Sequence, residues 1–314
     1  MASILQQPDV PNYSTDLEAW LPTVVDDDVL RAVIDRQIRT YDFDNPAINL
    51  TRIVFSEVTQ RELPLALSSL IALIHIGVDL HDDVTDGDII GGSRAEGEAL
   101  LAAASCLASL APQALARLIT GSRLLTALQY LWQGLQTMAS GQRVDLALYG
   151  DLHPQPRIVE SALRKSAAEF GIYVTLAACV AGAAETDLPR WNQLGMELGY
   201  ALQLSSDCTD AVSESGRDII GGARTLPITL ALQAGTPGDR ECLRRDLALA
   251  PSNRGAWTRV RTAIDASKSL GACGTLVEAA IARAEAQLAP LIPAIRGSEL
   301  PSFVVNCSWL RKSP

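Results

Sequence analysis

The stretch His75-Ile76-Gly77-Val78-Asp79-Leu80-His81-Asp82-Asp83-Val84-Thr85-Asp86-Gly87-Asp88 sets five carboxylates into ten residues at the end of a long apolar run. Carboxylates placed this close raise one another's pKa unless a cation neutralises them. On a helix, Asp82 and Asp86 stand four apart and share a face, with Asp83 one step round, so two carboxylates point at one spot. Hard oxygen donors on one face suit Mg²⁺, which keeps several waters and completes its octahedron with substrate phosphates. The D-D-x-x-D spacing thus predicts a site for a metal-bound diphosphate. The competing reading is a solvated acidic helix end, and a second acidic face with cationic phosphate partners is needed to choose between them.

Such a face follows in Gln203-Leu204-Ser205-Ser206-Asp207-Cys208-Thr209-Asp210-Ala211-Val212-Ser213-Glu214. Ser206, Asp210 and Glu214 recur every four residues, which on one helix stacks three oxygen donors, with Asp207 beside them. A solvated Glu214 at a helix end is the alternative. Directly after it, Gly216 to Pro227 forms a glycine-rich segment with Arg217 and Arg224. Planar guanidinium groups match phosphate oxygens bidentately. Lys165, between Leu163 and Ala167 in a run of small apolar residues, is a further phosphate partner or else a surface lysine.

The elements that must carry these residues read as helices. Alanine and leucine are abundant and β-branched alternation is scarce, in a chain 48% apolar and 5% aromatic. Residues 1–25 read as a loose polar lead, and 26–314 as a single domain. Helical spacing starts near Asp26 and resumes at about 49–60, 65–81, 94–110, 112–140 and 189–213, and again beyond Leu226. Gly141 to Asp145 falls after one such helix, and Gly87, Gly91 and Gly92 make a loop after the first aspartates. Net charge is −10 with no basic run, which argues against a nucleic-acid partner. The six scattered cysteines read as reduced thiols of a cytoplasmic protein. No signal peptide is expected, and the apolar stretches 99–110 and 173–184 are too short to span a bilayer.

With both aspartate regions in view, the chain resembles the trans-isoprenyl diphosphate synthases. The matching pieces come in the family's order: His75, Asp82 to Asp86, Gly141-Gln142 with Asp145, Lys165-Ser166-Ala167, Gly199 with Gln203, Ser206 to Asp210, and Asp218 to Pro227. The resemblance implies an all-α isoprenoid synthase fold, a helical bundle around a deep central cavity, and a homodimer. It also implies three Mg²⁺ ions gripping an allylic prenyl diphosphate, held by Asp82, Asp83, Asp86, Ser206, Asp207, Asp210 and Glu214. Lys165, Gln203, Arg217 and Arg224 would sit on the diphosphate.

Departures from the family pattern set the functional expectation. The basic trio that holds isopentenyl diphosphate in condensing members is missing near 44–51, Gly91-Gly92-Ser93 replaces the later Arg-Arg-Gly, and Ala223 stands where a lysine is expected. Read as S-D-x-x-D-x-x-x-E, the second region is similar to the triad of class I terpene cyclases. The expectation is therefore a terpene synthase of the prenyl-synthase-like kind, which ionises geranylgeranyl diphosphate, or next farnesyl diphosphate, and cyclises the cation. In relatives the residues four and five before the first motif limit chain length; here Val78 and Gly77 leave room, unless Gly77 serves helix packing. Tyr149, Phe170, Tyr173 and Tyr200 are candidates to line the pocket, and His75 and His81 are candidate bases. The alternatives are a chain-elongating synthase, a prenyltransferase acting on another acceptor, and a non-catalytic partner subunit.

Overall fold

The computed structural model describes residues 14–86 and 94–291, with Leu300 and Phe303. Among them every regular element is helical. The α-helices are α1 (Ser14–Trp20), α2 (Asp28–Thr40), α3 (Pro46–Thr59), α4 (Leu65–Asp86), α5 (Arg94–Ala116), α6 (Gly121–Leu148), α7 (Pro156–Ala162) and α8 (Arg164–Ala181). They continue as α9 (Leu188–Val212), α10 (Arg217–Gly221), α11 (Leu226–Ala234), α12 (Pro237–Leu249), α13 (Arg254–Ala266) and α14 (Ser269–Leu291), with short 3₁₀ turns between some of them. The all-α expectation holds. The chain divides into two compact units, Met1–Leu125 and Thr126–Pro314.

In the first unit the helix starts are written in side chains. The Asp27 carboxylate accepts the Leu30 amide at 2.8 Å, and Asn45 accepts the Ile48 amide at 3.0 Å with Pro46 at the first helical position. Helix α4 buries Leu67, Leu70, Ile71 and Leu73 completely and packs on α5. Their approach is close: a Cβ on Gly77 would lie 3.3 Å from Leu107 Cβ and 3.5 Å from the Ala104 carbonyl. Gly77 therefore lies against α5, and it is the packing role that the structure supports for it, with Val78 half-buried beside it.

Two sequence expectations change in this unit. The lead is not loose from Ser14 onward, because Leu17, Leu21 and Val25 are buried and Arg117 donates to Asp16 at 3.0 Å. Leu65–Thr85 and Arg94–Ala116 are long and apolar enough to cross a membrane, which the shorter stretches read from the sequence missed. The two helices pack on each other, with 56% of the apolar window of the first and 39% of that of the second buried. The glycine loop expected at 87–92, along with Cys307, lies outside the described residues.

In the second unit α8 is the central helix. Ile172, Tyr173, Val174, Leu176, Ala177, Ala178 and Cys179 have no exposure, so it is covered on all sides, with α9 packed along it and α14 along α9. The α8–α9 contact is backbone on backbone: a Cβ at Gly195 would fall 2.4 Å from the Phe170 carbonyl oxygen. Gly141 to Asp145 lies inside α6, not after it, because the helix runs on to Leu148. We expect Gly195→Ala to force α8 and α9 apart and to lower stability by about 1–3 kcal/mol in chemical denaturation, the usual cost of overpacking. An unchanged midpoint would show that the crossing is looser than described.

Candidate functional site

Helix α4 ends on its carboxylates. Asp79, Asp82, Asp83 and Asp86 occupy the last two turns, and no basic residue lies in the last turn. The negative end of the helix macrodipole disfavours anions there, so a charge conflict is built into the helix end. Asp82 is about three-quarters buried, with its side chain 25% exposed, and Asp83 is exposed. Asp86 closes the helix, its side chain outside the described part. Thr85 donates its hydroxyl to the His81 carbonyl at 2.8 Å. His75 Nδ1 stands 3.1 Å from Asp79 Oδ2, and its ring meets Tyr41 edge-on at 5.5 Å. A cavity of about 290 Å³ beside α4 is lined by Tyr41, Asp42, Asn45, His75, Asp79 and Asp83 among others, with neither lysine nor arginine among the described residues of its lining.

In the second unit the second acidic segment sits at another helix C-terminus. Helix α9 ends at Val212, again with no basic residue in its last turn. Asp207 is 6% exposed and is hydrogen-bonded by Gln203 of its own helix, which in turn is bonded from α8. Ser166 on α8 donates to Gln203 Oε1 at 2.8 Å, and Gln203 Nε2 donates to Asp207 Oδ1 at 2.8 Å. Lys165 Nζ donates to Gln142 Oε1 of α6 at 2.6 Å and lies 3.4 Å from Asp145 Oδ2. Glycines allow these helices to come so near. A Cβ at Gly141 would meet the Lys165 amide nitrogen at 2.9 Å, and one at Gly199 the Ser166 carbonyl at 2.5 Å. Burial first, and then the charge of Asp218, push the Asp207 carboxyl up to about 8; Asp145 and Asp210 act in the same sense and the Gln203 hydrogen bond in the opposite one.

The three donors expected to stack on α9 do not do so. The helix stops at Val212 and Ser213 is extended (φ −67°, ψ 159°), so Glu214 leaves the helical face and is exposed. Ser206 is exposed as well, and Asp207 is the residue facing the carboxylates of Asp145 and Asp218. Asp210 is turned toward the next helix: its carboxylate accepts the Arg217 amide at 3.2 Å and the Asp218 amide at 2.8 Å. The Arg217 side chain is exposed. Arg224, by contrast, is 4% exposed, and its guanidinium donates to the carbonyls of Asp151, Gly222 and Ala223. The structure thus uses it to close a loop.

The aromatic candidates do not converge on one surface. Tyr173 is fully buried, donates to Glu169 and stands edge-on to Phe170 at 5.7 Å, so both serve the α8 core. Tyr200 donates to Glu160 at 3.2 Å. Tyr149 lies half-buried just past the end of α6. Sequence reasoning missed Asp145, Asp218 and Gln142 as members of the cluster. They were visible only as pieces of quoted runs, because their meeting depends on three helices crossing.

Among the described residues no three His, Cys, Asp or Glu side chains converge as placed to hold an ion by themselves. A Mg²⁺ ion taken up with a diphosphate needs only one or two carboxylates, since phosphate and water supply the other oxygens. Asp207, buried among carboxylates that raise its proton affinity, has the character of an oxygen donor lacking a cation. The donor set fits a hard divalent metal.

Residues 47–264 match the polyprenyl synthetase family, and the chain belongs to that family. It is 29% identical over 263 residues to the nonaprenyl diphosphate synthase of Mycobacterium tuberculosis, covering 76% of this chain and 73% of that one. It is 25% identical over 241 residues to the octaprenyl diphosphate synthase of Escherichia coli, covering 68% and 73%. Among solved structures, the polyprenyl synthase of Caulobacter crescentus complexed with calcium and isoprenyl diphosphate superposes with a TM-score of 0.74 at 21% identity, covering 96% of this chain and 97% of that one. The chain is thus a prenyltransferase-family enzyme of all-α fold, and a divalent metal, typically Mg²⁺, is the family's cofactor. The expected cyclising terpene synthase is overturned: the relatives are chain-elongating synthases, and the triad that favoured a cyclase is not on one helical face.

The raised carboxyl of Asp207 has a consequence for stability. A folded-state pKa above the unfolded value means that the fold binds protons more tightly, so its stabilising share is complete below the unfolded value and is lost as pH rises through the folded one. In metal-free protein the melting temperature should therefore fall between pH 3.8 and about 8. Asp207→Asn should flatten that fall, and an unchanged slope in the variant would remove Asp207 as its source.

Proposed function

We propose that the chain transfers a prenyl group from an allylic diphosphate to isopentenyl diphosphate and so lengthens prenyl chains. The observation that carries this is the group of carboxylates Asp82, Asp83 and Asp86 at the end of α4, lying inside the span matched by the family. A bound divalent ion supplies charge neutralisation to the departing diphosphate. In the first unit Asp82, Asp83 and Asp86 would hold such an ion, and in the second unit Asp207 and Asp210 are the candidate donors. Lys165, kept in place by Gln142 and Asp145, adds a fixed positive charge, and preorganised charge of this kind favours the transition state over the ground state. The allylic carbon then bonds to the double bond of isopentenyl diphosphate, the carbon–oxygen bond to diphosphate breaks, and a proton is lost. The proposal includes a cytoplasmic homodimer; a solution mass near twice 33.5 kDa checks the dimer.

One observation favours a second reading, prenyl transfer to another acceptor. Among the described residues, the cavity beside α4 is lined by Asp42, Asp79 and Asp83 and by no lysine or arginine, a poor environment for a second diphosphate. Assays with Mg²⁺ and geranyl, farnesyl or geranylgeranyl diphosphate, with and without isopentenyl diphosphate, separate the two. Longer diphosphates formed only with isopentenyl diphosphate are expected. Turnover that needs a different nucleophile and leaves isopentenyl diphosphate unconsumed would replace the first reading by the second.

In the same assay Asp82→Ala should lower pyrophosphate release by at least ~100-fold, the scale of losing a transition-state charge partner. Asp79→Ala, whose side chain is 55% exposed and lies near His75, should be milder. Near-native rates for both would sink the metal assignment.

A further inference from the structure

Between α9 and α10, residues 213–216 make the turn that aims two backbone amides at Asp210. Gly216 sits at φ +51° and ψ +41°, a left-handed conformation that side chains rarely adopt. Its α-carbon rests on the edge of an indole: a Cβ there would fall 1.9 Å from Trp257 Nε1 and 2.8 Å from Trp257 Cε2. Trp257 comes from α13. It is 3% exposed and belongs to one apolar cluster with Ala211 of α9 and Ile219 of α10, so it grips the chain on both sides of the turn. Its indole N–H is buried and has no acceptor among the described residues. Burying a donor this way carries a desolvation penalty, and the cluster tolerates it in order to seat the ring under Gly216.

Arg254, one helical turn before Trp257, completes the grip. Its guanidinium carbon lies 3.5 Å from the Trp257 ring centroid, and its Nη1 donates to the Glu214 carbonyl at 3.1 Å. The turn is thus held from below by an indole and from the side by an arginine. From it the Arg217 and Asp218 amides reach Asp210, at 3.2 and 2.8 Å. A carboxylate oxygen that accepts one hydrogen bond keeps a second lone pair for a metal.

We propose that Trp257 and Arg254 are positioning residues for metal–diphosphate binding, fixing the 213–216 turn so that the amides of α10 hold the Asp210 carboxylate in its ligand orientation. The proposal rests on the assignment of Asp210 as a metal donor made above. Outer-shell partners that orient a metal ligand typically change affinity 10–100-fold when lost. The effect here should appear in binding and not only in turnover.

The test titrates Mg²⁺ into the full chain with inorganic pyrophosphate present, by calorimetry, alongside thermal unfolding without metal. Gly216→Ala should weaken Mg²⁺–pyrophosphate binding about tenfold, because its Cβ meets the indole. Adding Trp257→Leu to that variant should restore most of the loss by making room. Arg254→Ala, on an exposed side chain whose removal leaves the core intact, should also weaken binding, and Arg254→Lys should recover it. Asp210→Asn is the control for the underlying assignment. If Asp210→Asn weakens binding while Gly216→Ala and Arg254→Ala bind like the parent and only melt lower, the positioning role is wrong and the metal donor stands. If Asp210→Asn also binds like the parent, the donor assignment fails and takes the positioning role with it.

Discussion

Two helices in this protein end on clustered carboxylates with no basic residue in their last turns, and the placement of those carboxylates organises the candidate site. At the end of α4, Asp79, Asp82, Asp83 and Asp86 crowd the negative pole of the macrodipole, and at the end of α9 Asp207 and Asp210 do the same. Burial sharpens the point at Asp207, whose carboxyl holds its proton far above the ordinary range.

The second unit shows how such a site is kept in order. Helices α6, α8 and α9 cross at glycines, so backbone meets backbone, and short side chains can bond across the contact. Ser166, Gln203 and Asp207 form one relay and Lys165, Gln142 and Asp145 another. Long side chains pinned in this way lose rotamer freedom in folding and not at the moment of binding. Arg224, tied to three carbonyls, and the Trp257–Arg254 grip on the next turn extend the same economy to the loops.

The mistaken expectation of a cyclase has a specific physical origin. A four-residue recurrence from Ser206 to Glu214 is a helical face only while the helix lasts, and α9 ends at Val212. Helix ends are poorly specified by spacing, since the stop depends on what the chain packs against next. Here Asp210 takes the amides of α10, and the turn at Gly216 settles on Trp257, a residue some forty positions on. The basic residues expected for isopentenyl diphosphate are missing from the sequence at the positions where the family pattern puts them. The inference from that absence to cyclisation was the step that the relatives overturned.

The sequence by itself determined the all-helical class, through periodicity and alanine content, and the family, through the order of its short motifs, because these are local properties that need no knowledge of distant contacts. It also marked Lys165, Gln203 and Asp207, though as isolated candidates. Only the tertiary structure decided that Asp207 is buried among Asp145, Asp210 and Asp218, that Gly77 packs on α5, and that Arg224 closes a loop. Likewise it alone drew the 14–25 segment into the core through Leu17, Leu21 and Val25. Each of these depends on residues far apart in the chain being pressed together by burial of apolar surface, and that pressure has no signature in the spacing of neighbours.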